Sequence, residues 1–224
     1  MEMRPRRHVK AQRAPGMEGR IADWYAKNTG KSLFEFTDLA KRLAAELGPD
    51  ASVLEIAPGP GYLAVELAKL GPRAITGLDI SHSFVRIAGE VAAKAGVSVD
   101  FRQGDVAAMP FADGAFDAIV CRAAFKNFGD PDKALAEMHR VLAPGGKALI
   151  IDLRNDVSDE TIDAEVKTMR MKGFDAFITR LIFKYDLRRR AYPRAALEAM
   201  IAASRFGGGE IHEVGVGYEI YLTR

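Results

Sequence analysis

The chain has 224 residues, of which 48% are apolar, and this length and composition suit one domain with a full core better than two domains. No apolar run approaches the about 20 residues that cross a bilayer, and no apolar run follows the N-terminal arginines to make a secretory signal. The single cysteine, Cys121, excludes an internal disulfide, and the four histidines show no metal-ligand spacing. We therefore expect a cytoplasmic protein without a metal site or a membrane span.

Positive charge is concentrated near the N-terminus. Residues 1–20 carry a net charge of +4, whereas residues 21–224 carry −2. The first segment combines arginine, proline and glycine with few large apolar residues, which predicts a disordered basic leader at 1–20 before a single domain at 21–224. A solubilising leader is the simpler interpretation, and contact with nucleic acid or anionic lipid stays open.

Strand and helix patterns alternate through the middle of the chain. Apolar residues recur at helical spacing from Leu33 to Leu47, and Gly48-Pro49 ends that helix before the first strand. We expect strands at 52–57, 74–80, 97–103, 116–121 and 146–153, and helices at 61–70, 81–95 and 130–142. This alternation predicts a parallel sheet covered on both faces.

Beyond Leu153 the alternation stops. Residues 156–192 begin with a predicted helix at 158–171 and continue as a mixture of aromatic and basic residues, which we interpret as an insertion. A helix from Pro193 to about Ala203 follows, and two antiparallel strands near 210–214 and 217–223 close the chain. The predicted fold class is α/β, with a seven-stranded, mostly parallel sheet that ends in a C-terminal antiparallel β-hairpin.

The most informative segment runs from Val53 to Ala64, where an apolar strand passes through a turn into a helical pattern. Gly59 and Gly61 lack a Cβ and permit close approach of a ligand, and the helix after them points unpaired N–H groups at it. Asp79 lies 18 residues beyond Gly61 and suits a ribose hydroxyl pair. Taken alone, this pattern fits either a nicotinamide dinucleotide or S-adenosylmethionine.

Two further observations favour S-adenosylmethionine. A fold of two mononucleotide-binding halves needs another strand, crossover and parallel strand after the fifth strand, whereas this chain closes with a hairpin. Gly104-Asp105 follows the third strand, where a carboxylate can accept a hydrogen bond from an adenine amine. Glu55, Asp79 and Asp105 thus fall at successive strand ends, and they suit an amine, a ribose and an adenine better than a pyrophosphate.

These strand-end residues belong to a larger set of short motifs that follow one another along the chain. The segments are Glu55-Ile-Ala-Pro-Gly59-Pro-Gly61, Gly77-Leu-Asp79-Ile-Ser81, Gly104-Asp105, Met109-Pro110-Phe111, Phe116-Asp117 and Arg140-Val-Leu-Ala-Pro144-Gly145-Gly146. In order and spacing they resemble the motifs of class I S-adenosylmethionine-dependent methyltransferases, within the small-molecule branch related to ubiquinone and menaquinone biosynthesis enzymes. The resemblance covers about residues 50–153 and is specific as an ordered set, although no single motif is.

The resemblance implies a Rossmann-like fold, S-adenosyl-L-methionine as the cofactor and S-adenosyl-L-homocysteine as the product. The cofactor-side positions that it implies are Glu55, Ala57, Gly59, Gly61, Asp79, Ile80, Gly104, Asp105, Val106, Met109 and Cys121. Glu55 would lie near the ammonium group, with the glycine loop beneath the methionine part. Asp79 would hold the ribose hydroxyls. Ile80 and Met109 would flank the adenine, and Asp105 would contact its amine. Ala57 stands where the family usually has glycine, and its methyl group would narrow the loop.

Methyl transfer from a sulfonium is an in-line displacement with a good leaving group, so positioning supplies much of the rate. The segment 121–128 would face the methyl group, and it lacks the Asn/Asp-Pro-Pro-aromatic sequence of methylases that act on DNA bases or glutamine amides. The catalytic candidates are Asn127 to orient an acceptor, Tyr25 to cover the methionine end with Trp24, and His82 as a base or ribose contact. Packing of Tyr25 on a helix and solvent exposure of His82 are open alternatives. Cys121 suits a small buried residue better than a nucleophile.

The insertion is where this family usually builds acceptor specificity. It mixes Phe174, Phe177, Phe183 and Tyr185 with Lys184 and the run 188–190, which predicts an apolar pocket with a cationic rim for an amphiphilic or anionic small molecule. A solvated face explains the arginines nearly as well.

We expect a small-molecule methyltransferase. The alternatives are an RNA methyltransferase that uses the leader and Arg188 to Arg190, which the near-neutral body disfavours, and a non-catalytic cofactor-binding protein. The acceptor atom and the oligomeric state stay open.

Overall fold

The computed structural model describes residues 17–30, 33–168 and 173–224. The strands are β1 (Ser52–Ile56), β2 (Ala74–Asp79), β3 (Asp100–Gln103), β4 (Phe116–Arg122), β5 (Leu142–Leu153), β6 (Glu210–Val214) and β7 (Gly217–Thr223). The helices are α1 (Arg20–Thr29), α2 (Leu33–Glu46), α3 (Tyr62–Ala68), α4 (His82–Ala95), α5 (Pro131–Val141), α6 (Asp159–Thr168), α7 (Gly173–Leu181), α8 (Arg188–Arg190) and α9 (Arg194–Ala203).

The seven strands form one sheet in the order β3-β2-β1-β4-β5-β7-β6. The first five strands are parallel, and β7 pairs antiparallel with both β5 and β6. The predicted fold class is thus confirmed. Because the chain adds β2 and β3 on one side of β1 and then returns to place β4 on the other, the strand order reverses between β1 and β4. Ligands of open parallel sheets bind at such a point, beyond the carboxyl ends of the strands.

The central strands of the sheet are buried on both faces, whereas the edge strands β3 and β6 are largely exposed. Along β4, Ile119 and Cys121 belong to one cluster of buried residues, whereas Ala118 and Val120 belong to the other. The first cluster packs against α5 and α9, and the second packs against α2 and α3. This alternation follows from the two-residue period of a strand, and it holds the strand ends rigidly at the edge where a ligand would bind.

Helix α1 was not predicted, and the residues just before it, 17–19, lie inside the predicted leader. The Glu18 carboxylate accepts hydrogen bonds from the backbone N–H groups of His82 and Ser83 at 3.1 and 3.0 Å. The Ser81 hydroxyl donates to the Met17 carbonyl at 2.6 Å. These contacts satisfy unpaired N–H groups at the start of α4 and join residues separated by more than 60 positions, so local composition does not reveal them. Residues 1–16 of the predicted leader lie outside the described residues.

Other differences lie at element ends and in the insertion. Strand β3 begins at Asp100 rather than 97, and β5 begins at Leu142 rather than 146, across a register shift in its pairing with β4. In the insertion, α7 continues through a π-helical turn at Ile182–Leu187 into α8, and the sequence pattern did not predict these helical segments. The part of the predicted helix beyond Thr168 falls on residues 169–172, outside the described range. None of the described helices is long and apolar enough to span a membrane.

Candidate cofactor and acceptor site

The carboxyl ends of the parallel strands bring the predicted acidic residues to one edge. Glu55 lies in β1, Asp79 ends β2, and Asp105 follows β3. Arg122 ends β4 on the other side of β1. The reversal of strand order thus places a carboxylate and a guanidinium on adjacent strands, at the position where a ligand enters.

The glycine loop between β1 and α3 has three residues in the left-handed region. Their φ values are +54° at Ala57, +55° at Gly59 and +77° at Gly61. Among the described residues, a Cβ on Gly59 would have only the Tyr25 ring within reach, at 4.0 Å, so these residues leave the space above Gly59 open to a ligand. Ala57 holds a conformation that costs an alanine about 1 kcal/mol, which gives a physical reason for glycine there in related proteins.

Gly61 has a packing role that the sequence did not reveal. A Cβ at this position would lie 2.7 Å from Cζ of Phe101 and 2.8 Å from Cβ of Ala88. The missing side chain therefore lets α3 begin close against β3 and α4. A similar close approach holds at Gly104, where a Cβ would lie 2.8 Å from Cδ1 of Leu78. Of these three glycines, Gly59 is the one with open space beside it.

Asp79 fixes the loop and remains available to a ligand. Its Oδ2 accepts a hydrogen bond from the Gly59 N–H at 3.0 Å, and its Oδ1 accepts one from the Ser81 N–H at 2.9 Å. Burial raises the pKa of the carboxyl above its usual range, against the opposing effect of these two N–H groups. Each oxygen keeps acceptor capacity, because an ionised carboxylate has about four acceptor positions. The arrangement suits two hydroxyl donors, such as those of a ribose.

Glu55 is a buried carboxyl with a raised pKa. Its Oε2 accepts a hydrogen bond from the Ala64 N–H at 2.9 Å. Burial raises its pKa to about 8, with a smaller contribution from the nearby Asp79 charge, whereas the Ala64 N–H and the Arg122 charge lower it. A cationic ligand group would relieve this unfavourable burial by pairing with the ionised form.

The adenine-side positions form a turn that is anchored to α5. Asp105 caps the short 3₁₀ turn Val106–Ala108, with its Oδ1 accepting from the Ala107 N–H at 2.9 Å. The Met109 N–H donates to Oε2 of Glu137 at 2.7 Å. Val106 and Met109 are both largely buried against the core, whereas Ile80 and Asp105 are half-buried. Asp105 and Ile80 are thus the more accessible of these four.

Tyr25 and His82 take different positions. The Tyr25 ring lies beside the glycine loop and makes an edge contact with Phe84, their centroids 5.7 Å apart. The ring therefore packs on α4 and also borders the open space at Gly59. This position is compatible with both interpretations of Tyr25, packing on a helix and covering the methionine end. The His82 side chain is exposed at the start of α4, and its backbone N–H, rather than its ring, contacts Glu18. Trp24 is 55% exposed.

The turn after β4 is tied to β5 by a buried ion pair that was not predicted. Lys126 Nζ lies 2.7 Å from Oδ1 of Asp152, and both residues are buried. The Lys126 N–H also donates to Oδ2 of Asp152, at 2.7 Å. A small, partly open pocket lies beside this pair, lined by Phe125, Lys126, Asp152, Leu153, Tyr192 and Leu197. The pair holds the backbone of the turn in one position.

Cys121 has no exposed surface. Burial raises the pKa of its thiol above the usual range, and the nearby Asp152 charge raises it further. A thiol that stays protonated is a poor nucleophile. The structure therefore gives Cys121 a packing role in β4, and the cofactor contact that the sequence analysis assigned to it stays a prediction.

A second charged group lies where β4 meets α2 and α6. Arg122 Nη2 lies 2.7 Å from Oε2 of Glu35, and its Cζ lies 4.6 Å from the centroid of the Phe36 ring. Burial raises the pKa of Glu165 above its usual range, and the Glu35 charge raises it further. The sequence analysis assigned none of these residues a role, because α2 and α6 reach β4 only in the folded chain.

Four of the six basic residues described in the insertion are ion-paired, namely Arg180, Lys184, Arg188 and Arg190. Lys184 Nζ lies 3.1 Å from Oδ2 of Asp159, and Arg188 Nη1 lies 2.8 Å from Oδ1 of the same residue. Arg190 pairs with Asp186, and Arg189 is exposed. These contacts hold the insertion together and neutralise the positive charges of Lys184, Arg188 and Arg190. Phe177 and Tyr185, by contrast, are more than half exposed.

Together these groups fit an adenosyl sulfonium that carries an amino acid end. The fit rests on a buried carboxyl beside the loop, an open space above Gly59, and an aspartate at the end of β2 with spare acceptor capacity. A pyrophosphate would be repelled by the carboxylates of Glu55 and Asp79 at this edge, because two anions would have to lie side by side.

Comparison with known proteins agrees with this geometry. Residues 54–150 match the family model described as a methyltransferase domain. A demethylmenaquinone methyltransferase of Thermus thermophilus is 41% identical over 111 residues, which make up 49% of this chain and 50% of the relative. A ubiquinone/menaquinone biosynthesis C-methyltransferase of Bdellovibrio bacteriovorus is 38% identical over 115 residues, 51% of this chain and 48% of the relative. The chain thus spans about half the length of these curated relatives.

Among solved structures, similarity extends over nearly the whole chain. A protein from Methanococcus maripaludis, described as a putative S-adenosyl-L-methionine-dependent methyltransferase, superposes with a TM-score of 0.73 at 23% identity. The alignment covers 94% of this chain and 95% of that protein. At this identity the likeness establishes the fold.

Proposed function

We propose that the protein transfers a methyl group from S-adenosylmethionine to a small molecule of the quinone type, on the basis of the site geometry and of the match of residues 54–150 to a methyltransferase-domain model. The observation that carries the proposal is the buried Glu55 carboxyl beside the open glycine loop, which Asp79 holds in place. This combination accommodates a cation and a ribose at one sheet edge.

The residues of the chain divide the work of binding. S-adenosylmethionine, when bound, supplies a methyl group that is activated by its sulfonium. Glu55 holds the ammonium group, Asp79 accepts hydrogen bonds from the ribose hydroxyls, and Asp105 contacts the adenine amine. Tyr25 covers the loop at Gly59 and excludes water from the methionine end. Because the leaving group is already good, these contacts act mainly by positioning.

The acceptor side is formed by the turn after β4 and by the insertion. Two relatives that match this chain along about half of their own length are named as methyltransferases of menaquinone or ubiquinone biosynthesis. These names support a quinone-type acceptor. The exposed aromatic rings of Phe177 and Tyr185 on the insertion suit an acceptor with an apolar body. Because most of the described basic residues there are ion-paired, the apolar part of the predicted amphiphilic acceptor has more support than an anionic part.

The RNA alternative has no observation in its favour. It requires Arg188 to Arg190 as a basic surface, and Arg188 and Arg190 are paired with Asp159 and Asp186. A cytoplasmic location remains a prediction.

Calorimetry tests the cofactor part of the proposal. S-adenosylmethionine and S-adenosylhomocysteine should bind with micromolar or tighter affinity, whereas NADH should give no measurable heat. Tight binding of NADH together with no heat from either sulfur compound would overturn the proposal.

Transfer is tested with cofactor labelled in its methyl group and a 1,4-naphthoquinol that bears a short isoprenyl chain. Label should pass to the quinol. Binding of the cofactor without transfer to any of a panel of quinols, phenols and thiols would favour the non-catalytic alternative. A variant with Asp79 replaced by asparagine serves as the matched negative control.

A further inference from the structure

Arg190 of the insertion contacts Asn127 in the turn after β4. Its Nη1 donates a hydrogen bond to the Asn127 side-chain oxygen at 2.9 Å, although the two residues are 63 positions apart. The same guanidinium pairs with Asp186, one turn earlier in the insertion. The contact therefore joins the segment that would set acceptor choice to the segment that would face the transferred methyl group.

We infer that Arg190 is a positioning residue that fixes the Asn127 amide as a hydrogen-bond donor, so that the acceptor is a molecule with a hydrogen-bond-accepting oxygen at this point. The inference rests on the proposed methyl transfer, and it specifies the chemistry of the acceptor.

The donors and acceptors of the two side chains determine which Asn127 atom faces Arg190. A guanidinium has five N–H donors and no acceptor. The Asn127 atom beside it must therefore be the oxygen, because the amide nitrogen cannot accept a hydrogen bond. With its oxygen engaged, the amide presents its NH₂ group to the site. Among the described residues, none accepts a hydrogen bond from that NH₂ group.

The backbone of Asn127 is fixed as firmly as its side chain. The Asn127 N–H donates to the Ala124 carbonyl at 2.8 Å. The neighbouring Lys126 is held by Asp152 through both its backbone N–H and its ammonium group. Residue 127 is half-buried, so its amide has limited freedom but is not closed off from solvent. A donor held in this way favours a ring carbonyl or a phenolate oxygen over an amine.

Two probes of similar size test the inference by binding. The carbonyl oxygens of 1,4-naphthoquinone only accept hydrogen bonds, whereas 1-naphthylamine mainly donates. Each is titrated by calorimetry into the full chain, with and without saturating S-adenosylhomocysteine. The wild-type protein should bind naphthoquinone about three- to tenfold more tightly than naphthylamine, which is the range expected for one neutral hydrogen bond.

The variants separate positioning from general effects of charge and folding. In Arg190→Met the amide can rotate, so the preference for naphthoquinone should fall to about onefold. In Arg189→Met, which removes the same charge from the adjacent exposed residue, the preference should stay at its wild-type value. In Asn127→Asp the pairing with Arg190 is retained but the donor is lost, so naphthoquinone affinity should drop at least tenfold while thermal stability is unchanged or higher.

A spectroscopic measurement gives a result that does not depend on activity. The side-chain NH₂ signals of Asn127, identified by their loss in Asn127→Asp, should shift when naphthoquinone is added to the wild-type protein. The inference is overturned if Arg190→Met keeps the wild-type preference, if these signals do not move, or if neither probe binds. Failure of S-adenosylhomocysteine to bind would instead count against the proposed function, and the titrations without it still report on the amide.

Discussion

The backbone N–H of Gly59 donates a hydrogen bond to Oδ2 of Asp79 at 3.0 Å, which joins the glycine loop to the end of the neighbouring strand. One carboxylate thus shapes the loop and lies where the ribose would bind. A second carboxylate, Asp117, makes a comparable contact with the Ser52 N–H at 2.8 Å, at the opposite end of the sheet. The two aspartates form a matched pair for separating binding from stability.

Replacing Asp79 by asparagine should weaken binding of S-adenosylhomocysteine about 10- to 100-fold, through loss of charged acceptors for the ribose hydroxyls. Stability should change by less than about 1 kcal/mol, because a lost backbone contact is offset by removal of a buried charge. Asp117→Asn should lower stability by about 1 kcal/mol or less and leave binding unchanged. Calorimetry and urea unfolding measure the two effects, and equal loss of affinity in both variants would contradict this assignment.

Glu55 should make the ligand-free protein less stable as pH rises. Its pKa in the folded protein is raised to about 8 from a reference value of 4.5. The folded state therefore binds a proton more tightly than the unfolded state, so its stability is greatest below pH 4.5 and is lost progressively up to about pH 8. Glu55→Gln keeps an oxygen for the Ala64 N–H and removes the titration. Its unfolding free energy should exceed the wild-type value by a few kcal/mol at pH 9 and match it near pH 4.5. A difference that is independent of pH would refute this account.

Cofactor binding should release a proton from the same group. Pairing with an ammonium favours ionised Glu55, so the affinity for S-adenosylhomocysteine should rise with pH between about 6 and 8, by up to tenfold per pH unit. Calorimetry in buffers with different ionisation enthalpies counts the protons released. Near pH 6.5 the count should approach one in the wild type and zero in Glu55→Gln, which should also bind more weakly. Equal proton release by both proteins would assign the titration to another group.

Alanine at the two loop glycines should have different consequences. Gly61→Ala places a Cβ within 2.8 Å of both Phe101 and Ala88, so it should destabilise the protein by about 2–4 kcal/mol from crowding and left-handed strain. Gly59→Ala has open space and should cost about 1 kcal/mol in stability, but its methyl group should weaken cofactor binding at least tenfold. Thermal unfolding and calorimetry separate the two effects. Similar stability losses in both variants would show that the loop moves to relieve the crowding.

Cys121 should be unreactive in the folded protein. Because its thiol is buried and its pKa is raised, iodoacetamide should label it only after unfolding, and the single cysteine makes the readout unambiguous. Cys121→Ala should lower stability by about 1–2 kcal/mol through a small cavity and leave cofactor affinity within twofold of the wild type. A larger loss of affinity would support the cofactor contact that the sequence analysis assigned to Cys121.

Local patterns were sufficient for the sheet and for the strand-end carboxylates. Strand runs such as 116–121 are apolar on both faces, and a parallel sheet brings their carboxyl ends to one edge whatever the loops do. Glu55, Asp79 and Asp105 therefore lie at the carboxyl ends of β1, β2 and β3, as their positions in the sequence predicted, and their roles in binding stay predictions. Helix α1 was missed because its start is stabilised by Glu18 and Met17 against α4, contacts that composition averaged over 20 residues does not contain.

The sequence by itself determined the fold class, because periodicity marks the strands and helices. It also indicated the class of cofactor, because the residues that follow the strands resemble an ordered set of methyltransferase motifs. Only the tertiary structure decided which residues contact one another. Examples are the packing at Gly61, the buried pair of Lys126 with Asp152, and the contact of Arg190 with Asn127. Burial and charge pairing depend on which distant segments pack together. A run of arginines therefore looks the same in the sequence whether its charges are free or, as at Arg188 and Arg190, paired with carboxylates.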